Sequence, residues 1–157
     1  MPYDPRMIQP FRDELTEAGF TELHTAAEVD ASVAQKGTTL VVVNSVCGCA
    51  AGQARPGVAL AVKHPRRPER LVTVFAGQDL EATARARSYF AGASPSSPSI
   101  GILRDGKLVY LLQRHEIQMM DARAVATALG AAIEAVAGGG TASMPAPAAH
   151  LELPARV

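Results

Sequence analysis

The sequence feature that most constrains the fold is the stretch from Thr38 to Pro56, TTLVVVNSVCGCAAGQARP. It begins with a short continuous run of β-branched and apolar residues, Thr38–Val43. Such a run predicts a strand buried on both faces, as in the centre of a mostly parallel sheet. The only two cysteines of the chain, Cys47 and Cys49, follow at once, and residues 50–63 are predicted to form a helix. The thiols are therefore expected at a strand-to-helix junction.

This junction favours thiol–disulfide chemistry. The first turn of a helix presents unpaired N–H groups and the positive end of the helix dipole, and both stabilise a thiolate. A cysteine placed there has a pKa below the free value of about 8.5, and the thiolate is the form that attacks disulfides. Cys47, at the cap position, is predicted to be the nucleophile. Cys49, already in the first turn, is predicted to be the resolving thiol.

The cysteine pair could instead form a structural metal site or be two inert buried thiols. A structural zinc ion needs four ligands, and none of the four histidines is spaced to complete a set with the cysteines. A strand-to-helix junction is also a poor place to bury two thiols. The sequence thus predicts a redox site without a metal ion.

Composition argues against several classes of partner. The 157 residues are enough for one domain with a proper core. Lys+Arg and Asp+Glu both number 15, so no net field favours nucleic acid or an anionic membrane. No apolar run reaches the length of a membrane span, and the first residues lack the apolar core of a secretory signal. A lone cysteine pair is then expected to be catalytic, in a reducing cytoplasm.

The segments around the central stretch predict a mixed sheet. In chain order they are a helix at 7–18, a strand at 20–24, a helix at 26–36, the central strand and helix, a strand at 70–76, a helix at 79–90, strands at 100–103 and 108–112, and a helix after 121. The Asp105-Gly106 pair between the last two strands is a strong hairpin signal. The order predicts a thioredoxin-like α/β fold, with a mixed central β-sheet flanked by helices and an additional N-terminal helix.

The chain is predicted to divide into one folded domain and one tail. The domain covers residues 1–137 and contains every predicted helix and strand. Residues 138–157 are rich in Ala, Pro and Gly, which predicts a flexible C-terminal tail.

Two landmarks resemble thioredoxins. One is a thiol pair between a buried strand and a helix bent by Pro56, and the other is Pro98, immediately before a hairpin strand. In thioredoxin-like proteins the corresponding proline follows a cis peptide bond and packs beside the cysteines. The resemblance therefore implies a cis Ser97–Pro98 bond and places Ser97 and Pro98 at the site.

Several longer segments, TTLVVVNSVCGCAAGQARP, VTVFAGQD, ATARARSYF, SPSSPSI and RHEI, resemble the bacilliredoxin family in that family's order, from about residue 3 to residue 136. The resemblance implies reduction of mixed disulfides between cytosolic proteins and bacillithiol, a small cysteine-containing thiol. Bacillithiol would be the redox co-substrate, with no further cofactor, and the partners would be bacillithiolated or disulfide-containing proteins. Cys47 would take up the bacillithiol, and Cys49 or a second small thiol would displace it.

The cysteine motif departs from that of thioredoxins. Where those read C-G-P-C, this chain reads Cys47-Gly48-Cys49, so the second thiol arrives one position early. A disulfide across one residue closes a smaller ring, and strained disulfides are more oxidising. This favours exchange or isomerisation over general reduction. The buried acid that thioredoxins carry in the preceding strand is also missing from residues 40–43.

Further residues are candidates for binding the small thiol. Asn44 and Ser45 either hydrogen-bond its polar groups or simply satisfy the loop, and Gly48 lies between the two thiols. Arg55 either faces a carboxylate of bacillithiol or is a solvated helix arginine. His115, after the last strand, either carries a proton or is an ordinary surface histidine.

Three functions stay open from the sequence. The first is a bacilliredoxin-like oxidoreductase, and the second is a general disulfide isomerase or weak reductase. The third is a non-enzymatic module that senses redox state or binds metal through the cysteine pair. The chain acts alone or as a homodimer, and the sequence leaves both open.

Overall fold

The structure is a computed structural model that describes residues 2–140, and its centre is a five-stranded mixed sheet. The strands are β1 (Thr21–Glu22), β2 (Thr38–Asn44), β3 (Arg70–Phe75), β4 (Ser99–Arg104) and β5 (Lys107–Leu112). Their order across the sheet is β1-β3-β2-β4-β5. β3 pairs in parallel with β1 and β2, whereas β4 runs antiparallel to β2 and β5. The predicted mixed sheet, with the strand before the cysteines at its centre, is confirmed.

Helices cover both faces of this sheet. They are α1 (Pro5–Thr16), α2 (Ala26–Val33), α3 (Arg55–Ala61), α4 (Leu80–Ser88), α5 (Arg114–Ile117) and α6 (Ala122–Ala137), with a π-helical turn at Ala50–Ala54 in front of α3. On one face α3 packs against α6, and on the other α2 packs against α4. The predicted thioredoxin-like α/β fold with an additional N-terminal helix is confirmed.

Burial on both faces explains the continuous apolar run of β2. Leu40 and Val42 pack into the core cluster that contains residues of α3 and α6. Val41 and Val43 pack into the second cluster, which contains residues of α2 and α4. Successive side chains of a strand point to opposite faces, so a strand covered on both sides has no position for an exposed polar residue. β2 thereby fixes the start of the loop that carries the cysteines.

Two predicted backbone features are confirmed. Asp105 and Gly106 have φ angles of 52° and 79°, and positive φ at both central residues is what a type I′ hairpin turn requires. The Asp105 carboxylate also accepts a hydrogen bond from the N–H of Gly37 at 2.7 Å. The Ser97–Pro98 peptide bond is cis.

Several elements are shorter than the sequence predicts, among them α2, which ends at Val33 rather than at residue 36. β1 covers only Thr21–Glu22 rather than residues 20–24, because only these two residues pair with β3. α4 ends at Ser88 rather than near Phe90. The N–H of Phe90 instead bonds to the carbonyl of Arg87 at 3.0 Å, which tightens the end of the helix into a turn.

Asp79 is the N-cap residue of α4, yet its carboxylate does not cap the helix. It accepts hydrogen bonds from both terminal nitrogens of Arg12, at 3.0 and 3.1 Å, and from the N–H of Phe75 at 3.2 Å. Arg12 also pairs with Glu22 at 3.0 Å. A two-point bond to a guanidinium is stronger than a single bond to a helix N–H. Arg12 therefore ties α1 to β1 and to the start of α4.

Gly57 sets the distance between α3 and α6. A Cβ atom at this position would lie 2.6 Å from Cβ of Val125 and 2.9 Å from the carbonyl oxygen of Ala122, and neither atom can move without its helix. We expect Gly57→Ala to lower the free energy of unfolding by about 1–3 kcal/mol, as overpacked cores do. Gly130→Ala, in α6 with nothing within 4 Å of the new methyl group, is the control. It is expected to raise stability by about 0.5–1 kcal/mol, since alanine favours helix over glycine.

Urea denaturation followed by circular dichroism measures both glycine variants. Equal stability changes in the two would show that α3 and α6 are not in close backbone contact.

The C-terminal boundary of the domain stays a prediction. α6 ends at Ala137, which agrees with the position of the predicted boundary. The predicted flexible tail falls largely on residues 141–157, which lie outside the described part of the chain. Within residues 2–140, no helix combines the length and apolar character that crossing a bilayer demands.

Candidate active site

Both cysteines lie at the start of the helix that follows β2. The carbonyl of Cys47 accepts hydrogen bonds from the N–H groups of Ala50 and Ala51, at 3.1 and 3.2 Å. Helical geometry begins at Gly48, which puts Cys47 at the cap and Cys49 in the first turn. Both thiols are free and half-buried. The predicted placement of the two thiols is confirmed, while their separate roles stay a prediction.

The helix after the cysteines is less regular than predicted. Instead of one helix over residues 50–63, a π-helical turn at Ala50–Ala54 leads into α3, which ends at Ala61. Pro56 has no N–H and cannot donate to the turn before it. A π turn absorbs such a break, and such turns are frequent at functional sites. The irregularity therefore precedes Pro56 and lies directly behind the cysteines.

The surroundings of Cys47 favour its thiolate. Partial burial by itself raises the pKa of this thiol. The hydroxyl of Ser45, with Oγ 3.2 Å from Sγ of Cys47, and the N–H of Ala50 act in the opposite direction. The positive charge of Arg114 and the N–H of Cys49 add to them. Together these groups hold the pKa of Cys47 below its ordinary value.

The Ser45 hydroxyl is expected to be a main cause of this lowered pKa. In a Cys49→Ser background, Ser45→Ala should raise the pKa of Cys47, so that its thiolate fraction and its rate of alkylation near pH 7 both fall. The pH profile of iodoacetamide alkylation measures the change. Ser99→Ala is the control, because this buried hydroxyl donates to the carbonyl of Ser96 at 3.2 Å. Superimposable profiles for the two variants would contradict the prediction.

Arg55 is the main correction to the predicted site. The sequence predicts it at the surface, either on a ligand or in solvent, but its side chain is only 1% exposed. Its Nη1 donates to Oδ1 of Asn44 at 3.1 Å and to the carbonyl of Ser45 at 2.7 Å, and its Nε pairs with the Glu14 carboxylate. The guanidinium also lies 4.7 Å from the centre of the Phe11 ring. Contacts with Glu14 and Phe11 of α1 thus hold the Arg55 side chain in the interior.

Asn44 belongs to the same buried network. It is 1% exposed, and its Oδ1 accepts from the N–H of Ser45 at 2.9 Å while its Nδ2 donates to the carbonyl of Phe11 at 3.2 Å. Of the two alternatives for Asn44, the structure favours a residue that satisfies the loop. Asn44 and Arg55 therefore hold the backbone that carries Ser45 and Cys47, and they act on the thiol only through Ser45.

Cys47 opens into a cleft of about 290 Å³. The residues that line it come from six separate parts of the chain: Tyr3, Ser45, Val46, Cys47, Ala76, Gly77, Arg87, Ser97 and Arg114. The N–H of Tyr3 donates to Oε1 of Gln78 at 2.7 Å, and a Cβ at Gly77 would lie 2.9 Å from the Tyr3 ring. Among these lining residues there are two arginines and no acid, so the cleft is electropositive.

Of the other five predicted binding residues, two line the cleft and three do not. Ser45 and Ser97 line the cleft with Cys47. Gly48 is exposed, with nothing within 4 Å of a Cβ placed there, and Pro98 is buried. His115 is an exposed side chain 3.9 Å from Oε1 of Glu116, and the cleft lining contains its neighbour Arg114 instead. The proposed proton transfer by His115 stays a prediction.

Two walls of the cleft, Tyr3 and Arg87, escape prediction from the sequence. Nothing in the pattern around Tyr3 connects it to the cysteines, which are far away in sequence. Arg87 lies in the segment ATARARSYF, where Arg85 and Ser88 are equally plausible surface residues of the same helix. Within residues 2–140, no three His, Cys, Asp or Glu side chains come together as metal ligands.

The fold and the site define a class of protein. A thioredoxin-like α/β sheet carries an activated, accessible thiol at a helix start with a second thiol two residues later, and this is the arrangement of a thiol–disulfide oxidoreductase.

Comparison with known proteins agrees with this class. A family model described as Disulphide isomerase matches residues 3–137. The bacilliredoxin of Geobacillus kaustophilus is 59% identical over 112 residues, which cover 71% of this chain and 77% of the relative. That of Koribacter versatilis is 51% identical over 137 residues, covering 87% of this chain and 94% of the relative. The protein belongs to the bacilliredoxin family.

Proposed function

We propose that this protein removes bacillithiol from mixed disulfides on proteins, with Cys47 as the nucleophile and Cys49 as the resolving thiol. The observation that carries the proposal is the half-buried thiol of Cys47, which faces an electropositive cleft and whose pKa is held below its ordinary value. The relatives named bacilliredoxin support the choice of thiol. Because the reaction needs reduced cysteines, a cytoplasmic location is part of the proposal.

The proposed reaction has two exchange steps. The Cys47 thiolate attacks the bacillithiol sulfur of the mixed disulfide, a new S–S bond forms, and the protein sulfur leaves with the electron pair and takes a proton from water. The Cys49 thiolate then attacks the Cys47 sulfur and releases bacillithiol as its thiolate. The Cys47–Cys49 disulfide that results is reduced by two further equivalents of a small thiol, which themselves become a disulfide.

Intact-mass and peptide mass spectrometry test the first step. After exposure to bacillithiol disulfide, Cys49→Ser should carry one bacillithiol on Cys47, whereas the unmodified sequence should show mainly the internal Cys47–Cys49 disulfide. Adduct formation at Cys49 alone, in a chain with Cys47 intact, would contradict the assignment of roles.

A general disulfide isomerase is the second candidate, because the matching family model carries that description. Refolding of a scrambled disulfide protein and reduction of insulin separate the two functions. The first proposal expects insulin reduction to be weak beside the removal of bacillithiol, since the closely spaced thiol pair favours exchange over general reduction. Refolding of the scrambled protein at a rate that matches bacillithiol removal would favour the isomerase.

A further inference from the structure

Two arginines of the cleft lack a carboxylate partner. Within residues 2–140, Arg87 and Arg114 form no ion pair, whereas Arg12, Arg55 and Arg85 each pair with an acid. Among the described residues, Arg87 donates only to the carbonyl of Ser96, at 3.4 Å, and its buried Nε has no hydrogen-bond partner there. Arg114 donates to the carbonyl of Ser97 at 3.3 Å. Both contacts are long and reach only neutral oxygens. Most N–H groups of the two guanidinium groups therefore remain available to a ligand.

An unpartnered guanidinium in a partly buried position is costly. A buried donor without an acceptor loses its hydration and gains nothing in return. Burial also lowers the pKa of Arg87, which shows that its charged form is poorly solvated there. A planar fork of N–H donors matches the two oxygens of a carboxylate. A carboxylate in the cleft would accept hydrogen bonds from the terminal nitrogens of Arg87, which in the described part of the chain donate only to the carbonyl of Ser96.

The reaction at Cys47 changes the charge of this cleft. In its thiolate form, Cys47 offsets part of the positive charge, and Arg114 is close enough to lower the pKa of that thiol. Once Cys47 forms a mixed disulfide, its negative charge is gone while Arg87 and Arg114 keep theirs. The net positive charge of the cleft is therefore largest while a captured thiol is bonded to Cys47. An anion in the cleft is stabilised most in that state.

From this we infer that Arg87 and Arg114 form a carboxylate-binding subsite, which holds the acidic groups of the small thiol while its sulfur is bonded to Cys47. The inference rests on the proposed exchange at Cys47. The small thiol is the better occupant because it stays bonded to Cys47 after the first step, whereas the protein partner leaves in that step. A cleft of about 290 Å³ also suits a small molecule.

Four mixed-disulfide probes test the subsite in a Cys49→Ser background. A cysteine peptide with Glu or Gln beside its cysteine is linked to 3-mercaptopropionate, which carries a carboxylate, or to 2-mercaptoethanol, which is neutral. Intact-mass spectrometry gives the rate at which Cys47 captures the small thiol from each probe. The informative quantity is the ratio of the rates for the anionic and neutral small thiols, because a change in the pKa of Cys47 affects both alike.

The ratio is expected to favour 3-mercaptopropionate and to fall about tenfold in Arg87→Gln and in Arg114→Gln. Arg123→Gln, which changes an exposed arginine of α6, is the control and should leave the ratio unchanged. Arg114 is itself exposed, so its variant is expected to fold even if Arg87→Gln does not.

Three results would overturn the inference. The ratio could be the same in both variants and in the control, or it could already be near one in the parent protein. A preference that follows the Glu of the released peptide would mean that the arginines recognise the protein partner. In each of these cases capture by Cys47 still supports the proposed function. A failure of Cys47 to capture a small thiol from any of the four probes would instead reject that function.

Discussion

Replacing Cys47 by serine is expected to lower the rate of bacillithiol removal by roughly a thousandfold or more, because a serine hydroxyl is not ionised at neutral pH and cannot attack a disulfide. The Ser45 hydroxyl and two helix N–H groups surround Sγ of Cys47. They stabilise an anion at this position, and serine does not form one at neutral pH. Release of a bacillithiolated protein's free thiol, followed by mass spectrometry, measures the rate.

Cys49→Ser is the matched variant, since it removes the other thiol of the same helix turn. It should still capture bacillithiol on Cys47 in a single round and then accumulate the adduct, which only added small thiol releases. The fold should be unaffected, because Cys49 is half-buried and Gly48 beside it is open to solvent. If Cys47→Ser captured the thiol and Cys49→Ser did not, the two roles would be reversed.

The largest loss of stability is expected for Arg55→Met, at about 3–4 kcal/mol in the free energy of unfolding. Methionine fills much of the space of Arg55 but cannot donate to the carbonyl of Ser45 or to Oδ1 of Asn44, so both buried acceptors lose a charged donor. The loop that carries Cys47 should loosen as a result. Urea denaturation measures the stability, and iodoacetamide alkylation of Cys47 reports the loop.

Two comparisons separate the fork of Arg55 from its charge. Arg55→Lys keeps the charge but cannot reach three partners at once, so it should lose most of the same stability. Arg123→Met, on the exposed side of α6, should change stability by no more than about 0.5 kcal/mol. A loss below about 1 kcal/mol in Arg55→Met would show that the buried network contributes little beyond packing.

The features that could be predicted from the sequence are those set by local chemistry. The apolar run of β2 predicts burial on both faces because alternate side chains enter different core clusters. The Asp105-Gly106 turn is predictable because few residues tolerate positive φ. The cap position of Cys47 follows from the junction of a strand and a helix, and resemblance to thioredoxins added the cis bond before Pro98.

The features that escaped prediction depend on contacts between distant segments. The burial of Arg55 requires Glu14 and Phe11 of α1, and no sequence pattern around residue 55 indicates these two partners. Asp79 has the position of a helix cap, yet Arg12 takes its carboxylate. The cleft is closed by Arg87 from α4 and by Tyr3 from before α1. Such partners become visible only once the chain has folded.

The place of Tyr3 has a practical consequence for experiments on this protein. Tyr3 lines the cleft, its N–H donates to Oε1 of Gln78, and its ring lies against Gly77. A purification tag joined a few residues before Tyr3 would therefore be attached close to the cleft. Kinetic work calls for a tag at the other end, or for one that is cleaved away, so that the tag does not compete with substrate for entry.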